Sequence, residues 1–111
     1  MDKDFLREYV NIILAIYGKH VKKIILYGSY ARGDYNQDSD IDILILLDLP
    51  EIEVSDYQHE LSNATFDFNF DNELDINPMA ESEKVYNKWV KVYPFFKNVD
   101  KEGVVLYGAA W

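Results

Sequence analysis

Apolar residues recur every three to four positions through residues 3–17. Phe5, Leu6, Tyr9, Val10, Ile13, Ile16 and Tyr17 fall on one side of a 3.6-residue period, which predicts an amphipathic helix. Asp2 and Asp4 suit its positive N-terminal end, and Gly18 is a stop signal. The pattern then changes. Residues 22–27 (KKIILY) read as a strand with a buried end. Gly28 and Ser29 open a tight turn into one short helical turn over residues 30–33. A polar loop (DYNQDS) follows over residues 34–39. Residues 40–47 (DIDILILL) are apolar on both faces except at Asp40 and Asp42, which predicts a central strand.

Ser55 with Gln58 three residues later resembles a capping box, and a helix over residues 55–71 follows from it. Tyr57, Leu61, Ala64 and Phe68 are its inward positions. Residues 73–79 (ELDINPM) predict a third strand, curtailed by Pro78. Residues 81–101 read as helix in two pieces, broken before Pro94, with Gly103 as the end signal. Residues 104–107 (VVLY) form a short last strand. The expected fold class is α+β: a small mixed sheet with helices packed on it. No linker or repeat divides the chain, so residues 1–111 are expected to form a single domain.

Charge and composition narrow the function. Lys and Arg number 11 against 20 Asp and Glu, a net charge of −9. Nucleic-acid binding rests on cations that neutralise phosphates, so no direct nucleic-acid partner is expected. The absence of cysteine excludes disulfides, thiolate zinc sites and a Cys nucleophile. No apolar run approaches the roughly 20 residues of a membrane span, and Met1-Asp2-Lys3-Asp4 does not start a signal peptide. A cytoplasmic protein without a membrane partner is the expectation.

The candidate chemistry lies between residues 28 and 42. Asp40 and Asp42, two apart on a strand, point to one face with Cα atoms roughly 6.7 Å apart at ~3.3 Å per residue. Two such carboxylates are costly to bury without a cation, and hard divalent ions take oxygen ligands. The alternative is a solvated strand start. Gly28 and Ser29 lie where backbone N–H groups become available to an anion, and Gly28 permits close approach of a phosphate. The bland counterpart is an ordinary turn with Ser29 as N-cap. Arg32 suits a phosphate or a surface pair with Asp34 or Asp38. Ser39 suits a cap that orients Asp40, or a plain loop serine.

Taken together, G-S-Y-A-R-G-D-Y-N-Q-D-S-D-I-D resembles the G-S-x-x-x-G-x-x-x-x-x-S-D-x-D signature of the DNA polymerase beta-like nucleotidyltransferase superfamily. It is most similar to the minimal nucleotidyltransferases. The matching positions are Gly28, Ser29, Gly33, Ser39, Asp40 and Asp42, and the chain's length and element order resemble that family nearly throughout. The resemblance implies a polymerase beta palm-like fold and nucleotidyl transfer, AMP from ATP being the expected case. Asp40 and Asp42 would hold two Mg²⁺ ions, with Mn²⁺ as an alternative. Gly28, Ser29, Arg32, Gly33 and Ser39 would serve the nucleoside triphosphate. A third carboxylate would stand beside the acceptor. Asp75, an acid between Leu74 and Ile76, is the choice, with Glu73 on the same predicted face and Asp67 and Asp71 as helical fallbacks.

Small members of this family pair with helical HEPN-type ribonuclease toxins and silence them by adding AMP. The resemblance therefore implies an antitoxin whose acceptor is a partner hydroxyl. Two alternatives stand beside it. One is a non-catalytic antitoxin that masks its partner and carries a degenerate nucleotide site. The other is an antibiotic-type, small-molecule nucleotidyltransferase completed as a homo-oligomer. His20 and His59 are isolated and read as surface residues. The cluster Trp89, Val92, Tyr93, Phe95 and Phe96 reads either as core around Pro94 or as an interface.

Overall fold

A computed structural model of the chain describes residues 4–36 and 38–108. Helix α1 (Asp4–Tyr17) forms as its periodicity requires and buries Leu6, Tyr9, Ile13 and Tyr17. Asp2, assigned to its N-terminal end, lies outside the described residues. Gly18, at φ 60°, ends α1 and opens a 3-10 turn that runs to His20. Strand β1 (Val21–Tyr27) and the short helix α2 (Ser29–Arg32) follow, then strand β2 (Ile41–Leu47).

The sheet has the order β3-β2-β1-β4, which makes β2 an interior strand, as its two apolar faces require. β1 pairs antiparallel with β2 and with β4 (Val104–Tyr107), and β3 (Ile76–Ser82) runs parallel to β2. The period of two along each strand divides the core. Ile24, Leu26, Ile43, Ile45 and Leu47 pack with α1 and with Leu61 and Phe68 of α4 (Gln58–Asn72). Ile25, Leu44 and Leu46 face the other way. They pack under Tyr86 of α5 (Glu83–Trp89) and Phe96 and Val99 of α6 (Pro94–Glu102). Asp42 shares the parity of Leu44 and Leu46, which sets it on the α5/α6 side.

Three expectations are corrected. The Ser55–Gln58 capping box does not form. Pro50 precedes a separate helix, α3 (Glu51–Asp56), whose first turn carries Glu51 and Glu53. The Ser55 hydroxyl, inside α3, donates to the Ile52 carbonyl at 2.7 Å. The inward set of α4 is nonetheless as expected: Leu61 and Phe68 are buried and Tyr57 and Ala64 half-buried.

The second correction moves β3 from residues 73–79 to Ile76–Ser82. Pro78 does not curtail the strand. β3 is an edge, and a proline lacking an N–H is tolerated where one side of the strand has no ladder to complete. Glu73 therefore does not share a strand face with Asp75. It caps the C-terminal end of α4 in the left-handed region, at φ 53°. Third, β2 begins at Ile41, so Asp40 stands just before the strand rather than in it.

Candidate active site

β1 delivers the chain to the site at Tyr27, whose register partner across the antiparallel pair is Asp42. Gly28 then takes φ 75° and ψ −155°, a conformation closed to residues with a side chain. The reason lies opposite. A Cβ on residue 28 would sit 2.5 Å from Asp42 Oδ2. The turn and the carboxylate are thus packed against one another with no room for a larger residue.

Gly28, not Ser29, is the N-cap of α2, and no side chain caps that end. The turn's internal hydrogen bonds begin at the Ala31 N–H, which donates to the Gly28 carbonyl at 3.1 Å. The N–H groups of Ser29 and Tyr30 stand ahead of these bonds. Gly33 closes α2 in the left-handed region at φ 83°, its N–H donating to the Ser29 carbonyl at 2.9 Å. Tyr30 is buried, and its ring stacks on Tyr35 with centroids 4.1 Å apart, which fastens the turn to the loop after it. Ser39 ties that loop together: its hydroxyl accepts the Asn36 N–H at 3.0 Å and its own N–H donates to the Asn36 carbonyl at 3.1 Å.

Arg32 sits on the surface-pair side of its two readings. Nε lies 3.2 Å from Asp34, and Nη1 lies 3.3 Å from Glu102 at the end of α6. The pair with Glu102, far along the chain, carries no signal in the sequence. Asp34 and Glu102 both hold the guanidinium's pKa above its ordinary value, through hydrogen bonds and charge.

Asp42 is half-buried. Burial pushes its pKa up, the charge of Asp40 adds to this, and a long 3.5 Å hydrogen bond from Asn77 Nδ2 works against it. Asp75, exposed at the mouth of β3, is brought to Asp40. The Asp75 carbonyl accepts the Ile41 N–H at 2.9 Å, and the Asp75 carboxyl shares a hydrogen bond with that of Asp40. That hydrogen bond, and then the Asp40 charge, push the Asp75 pKa up. Asp67 and Asp71 lie in α4.

The chemistry of this donor set suits a hard divalent cation. Asp40 opposes the ionisation of both Asp42 and Asp75, and among the described residues none of the three forms an ion pair with a lysine or arginine. As the side chains stand, no three acidic or histidine residues among those described converge on a point that would hold an ion. The set is gathered but not closed.

A cavity of about 250 Å³ opens beside the turn, lined by Tyr27, Gly28, Arg32, Asp42, Phe95, Asn98, Val99 and Glu102. The aromatic cluster divides around it. Phe96 is buried in the core and Tyr93 stacks on Trp89 at 5.1 Å, while Phe95 stands edge-on to Tyr27 at 5.5 Å. His20 is a surface residue bonded to Asp48 at 2.8 Å, and His59 is exposed.

The family described as "Nucleotidyltransferase domain" matches residues 6–105. This chain belongs to it. A protein of Methanocaldococcus jannaschii named "Putative protein adenylyltransferase" is 42% identical over 102 residues, covering 92% of this chain and 94% of that protein. A second of the same name and organism is 29% identical over 101 residues, covering 91% and 94%. Among solved structures, a toxin–antitoxin complex with AMP-PNP superposes with a TM-score of 0.54 at 20% identity, over 93% of this chain and 73% of that one. A complex of a tri-AMPylated Shewanella oneidensis HEPN toxin with its MNT antitoxin gives 0.51 at 18% identity, over 98% and 74%. The mixed four-stranded sheet with its helices is therefore the nucleotidyltransferase fold. No helix among the described residues is long and apolar enough to cross a membrane.

Proposed function

We propose that this nucleotidyltransferase domain, a single unit over residues 1–111, moves AMP from ATP onto a hydroxyl of a partner protein. Its place is as the antitoxin beside a helical HEPN-type toxin. The observation that carries the reading is the fit of Asp42 into the space left by Gly28, with a hypothetical Cβ only 2.5 Å from Oδ2. The β1–β2 pairing that sets Tyr27 opposite Asp42 brings this turn and the acidic strand together. A triphosphate and the ions that accompany it require that closeness.

The roles follow from the placement. The N–H groups of Ser29 and Tyr30, with the Ser29 hydroxyl, bind the distal phosphates, and Gly28 lets them approach. Gly33 and Ser39 hold the turn and its loop in shape. Arg32 exchanges its exposed carboxylate partners for phosphate oxygens. Asp40, Asp42 and Asp75 would hold Mg²⁺ or Mn²⁺, which would neutralise charge as it develops on the reacting oxygens. The acceptor oxygen bonds to the α-phosphorus, and the bond from that phosphorus to the bridging oxygen breaks. Pyrophosphate leaves, and the hydroxyl proton passes to the Asp75 carboxylate.

A protein acceptor is supported by the names of the relatives and by the net charge of −9, which disfavours a polynucleotide. The HEPN partner is supported by the complexes that share the fold. The degenerate-site alternative loses ground because a third acid, Asp75, does reach Asp40. The test is label transfer from α-labelled ATP with Mg²⁺, using a cell extract as the source of acceptor. Label on a discrete protein that is absent with Asp42→Asn is the expected result. No label with any of the four nucleoside triphosphates would overturn the reading.

A further inference from the structure

We infer that the cavity between β1 and α6 receives the nucleoside of the triphosphate, with Phe95 stacking the base and Asn98 hydrogen-bonding its edge. The inference rests on the nucleotidyl-transfer reading above and assigns the part of the substrate which that reading leaves unplaced.

Position comes first. The phosphate turn begins at Gly28, directly after Tyr27, and Asp42 is the register partner of Tyr27. Both Gly28 and Asp42 line the cavity. A triphosphate laid on the turn with its α-phosphate at Asp42 has two protein-lined directions for its nucleoside. One leads toward Asp75 on the β3 side, where the acceptor hydroxyl must enter. The other leads into the cavity, on the opposite side of β2 in the order β3-β2-β1-β4.

Size agrees. Whole small-ligand sites run to roughly 300–1,000 Å³. A cavity of about 250 Å³ suits a base and its sugar with the phosphates left outside on the turn.

The lining agrees as well. Phe95, Asn98, Val99 and Glu102 fall at i, i+3, i+4 and i+7, so one stripe of α6 faces the cavity. Phe95 is 40% exposed although it stands edge-on to Tyr27, so ring surface is left for a base. The Asn98 side chain has no hydrogen-bond partner among the described residues, and its amide presents a donor and an acceptor together. That pair complements a base edge on which a donor adjoins an acceptor, as adenine's amino group adjoins a ring nitrogen. The Arg32–Glu102 pair, 3.3 Å apart, bounds the cavity where nucleoside and phosphates would meet.

The test compares two probes on the purified full chain, each with Mg²⁺: ATP and inorganic tripolyphosphate, with thermal shift giving the affinities. The expected wild-type result is tighter binding of ATP. Phe95→Ala should weaken ATP about tenfold, as loss of a base–aromatic stack does, and change tripolyphosphate by less than about twofold. Asn98→Ala, at an exposed position that does not threaten the fold, should weaken ATP and spare tripolyphosphate. Equal wild-type affinity for ATP and tripolyphosphate would overturn the inference and leave the phosphate site standing. So would variants that keep the wild-type ratio of the two. Binding of neither probe by the wild type would overturn the nucleotidyl-transfer reading, and this inference with it.

Discussion

The carboxylate of Asp42 occupies the place where residue 28 would carry a side chain: Oδ2 is 2.5 Å from the position of a Cβ on Gly28. Gly28 is also at φ 75° and ψ −155°. Gly28→Ala therefore meets two obstacles, a strained backbone and a displaced carboxylate. Strain of this kind costs about 1–3 kcal/mol. The variant is expected to unfold at lower denaturant and to lose transfer. A variant with wild-type stability and activity would show that the turn does not need glycine.

Asp42→Asn and Asp75→Asn should separate by readout. Asp42 is half-buried and its charge is opposed by burial and by Asp40. The amide removes that opposition, so Asp42→Asn should fold at least as stably as wild type while transfer is abolished. Asp75 is exposed and touches Asp40 from the β3 side. Asp75→Asn should lose transfer more than nucleotide binding. Parallel measurement of label transfer and ATP affinity checks both, and equal losses in Asp75→Asn would contradict its place beside the acceptor.

Two buried tyrosines of α1 should respond oppositely to loss of the hydroxyl. Tyr9 shares a 2.7 Å hydrogen bond with Thr65, so Tyr9→Phe should cost about 1 kcal/mol. The Tyr17 hydroxyl is buried without a partner among the described residues, although its ring packs on Tyr57 at 5.0 Å. Tyr17→Phe should be neutral or stabilising by up to about 1 kcal/mol. Urea unfolding of the two variants beside wild type measures the difference.

Alkali should unfold the domain through its tyrosines. Tyr9, Tyr17, Tyr27 and Tyr86 are each pushed up to about 12, chiefly by burial. The unfolded chain releases the same protons near pH 10. The stability held in these protonated hydroxyls is complete below pH 10 and drains away as pH rises from 10 through 12. Tyrosinate absorbance and far-UV circular dichroism should change together in that window. Full titration of these tyrosines with the secondary structure intact would contradict the burial.

Much of this was legible in the sequence, and for identifiable reasons. Residues 41–47 are apolar at every position but one, so an interior strand was forced. The turn at Gly28 and the strand position of Asp42 were readable because turn chemistry and strand parity are local, whereas Asp40 falls just outside β2 and its parity. The split of α3 from α4 was not read, because Ser55 mimicked a cap. The true signal was Pro50 followed by Glu51 and Glu53, a proline and acidic first turn. Pro78 misled because a sequence does not state which strand is an edge. Glu73 took a left-handed cap that glycine usually fills, which hid the end of α4.

The Arg32–Glu102 pair joins residues 70 apart and leaves no local trace. The cavity stripe was there to be found. Phe95, Asn98, Val99 and Glu102 keep helical spacing, but the aromatic neighbours of Phe95 fit core packing equally well in sequence.

The central claim is a nucleotide site built on Asp40 and Asp42, and the most direct test is thermal unfolding with ATP and Mg²⁺, separately and together. The same series on Asp40→Asn/Asp42→Asn is the control. A ligand at 100 times its Kd stabilises a protein by roughly 2.7 kcal/mol. The account predicts a shift of that order that needs both ATP and Mg²⁺ and vanishes in the double variant. An equal shift in the double variant, or one that ignores Mg²⁺, would contradict it.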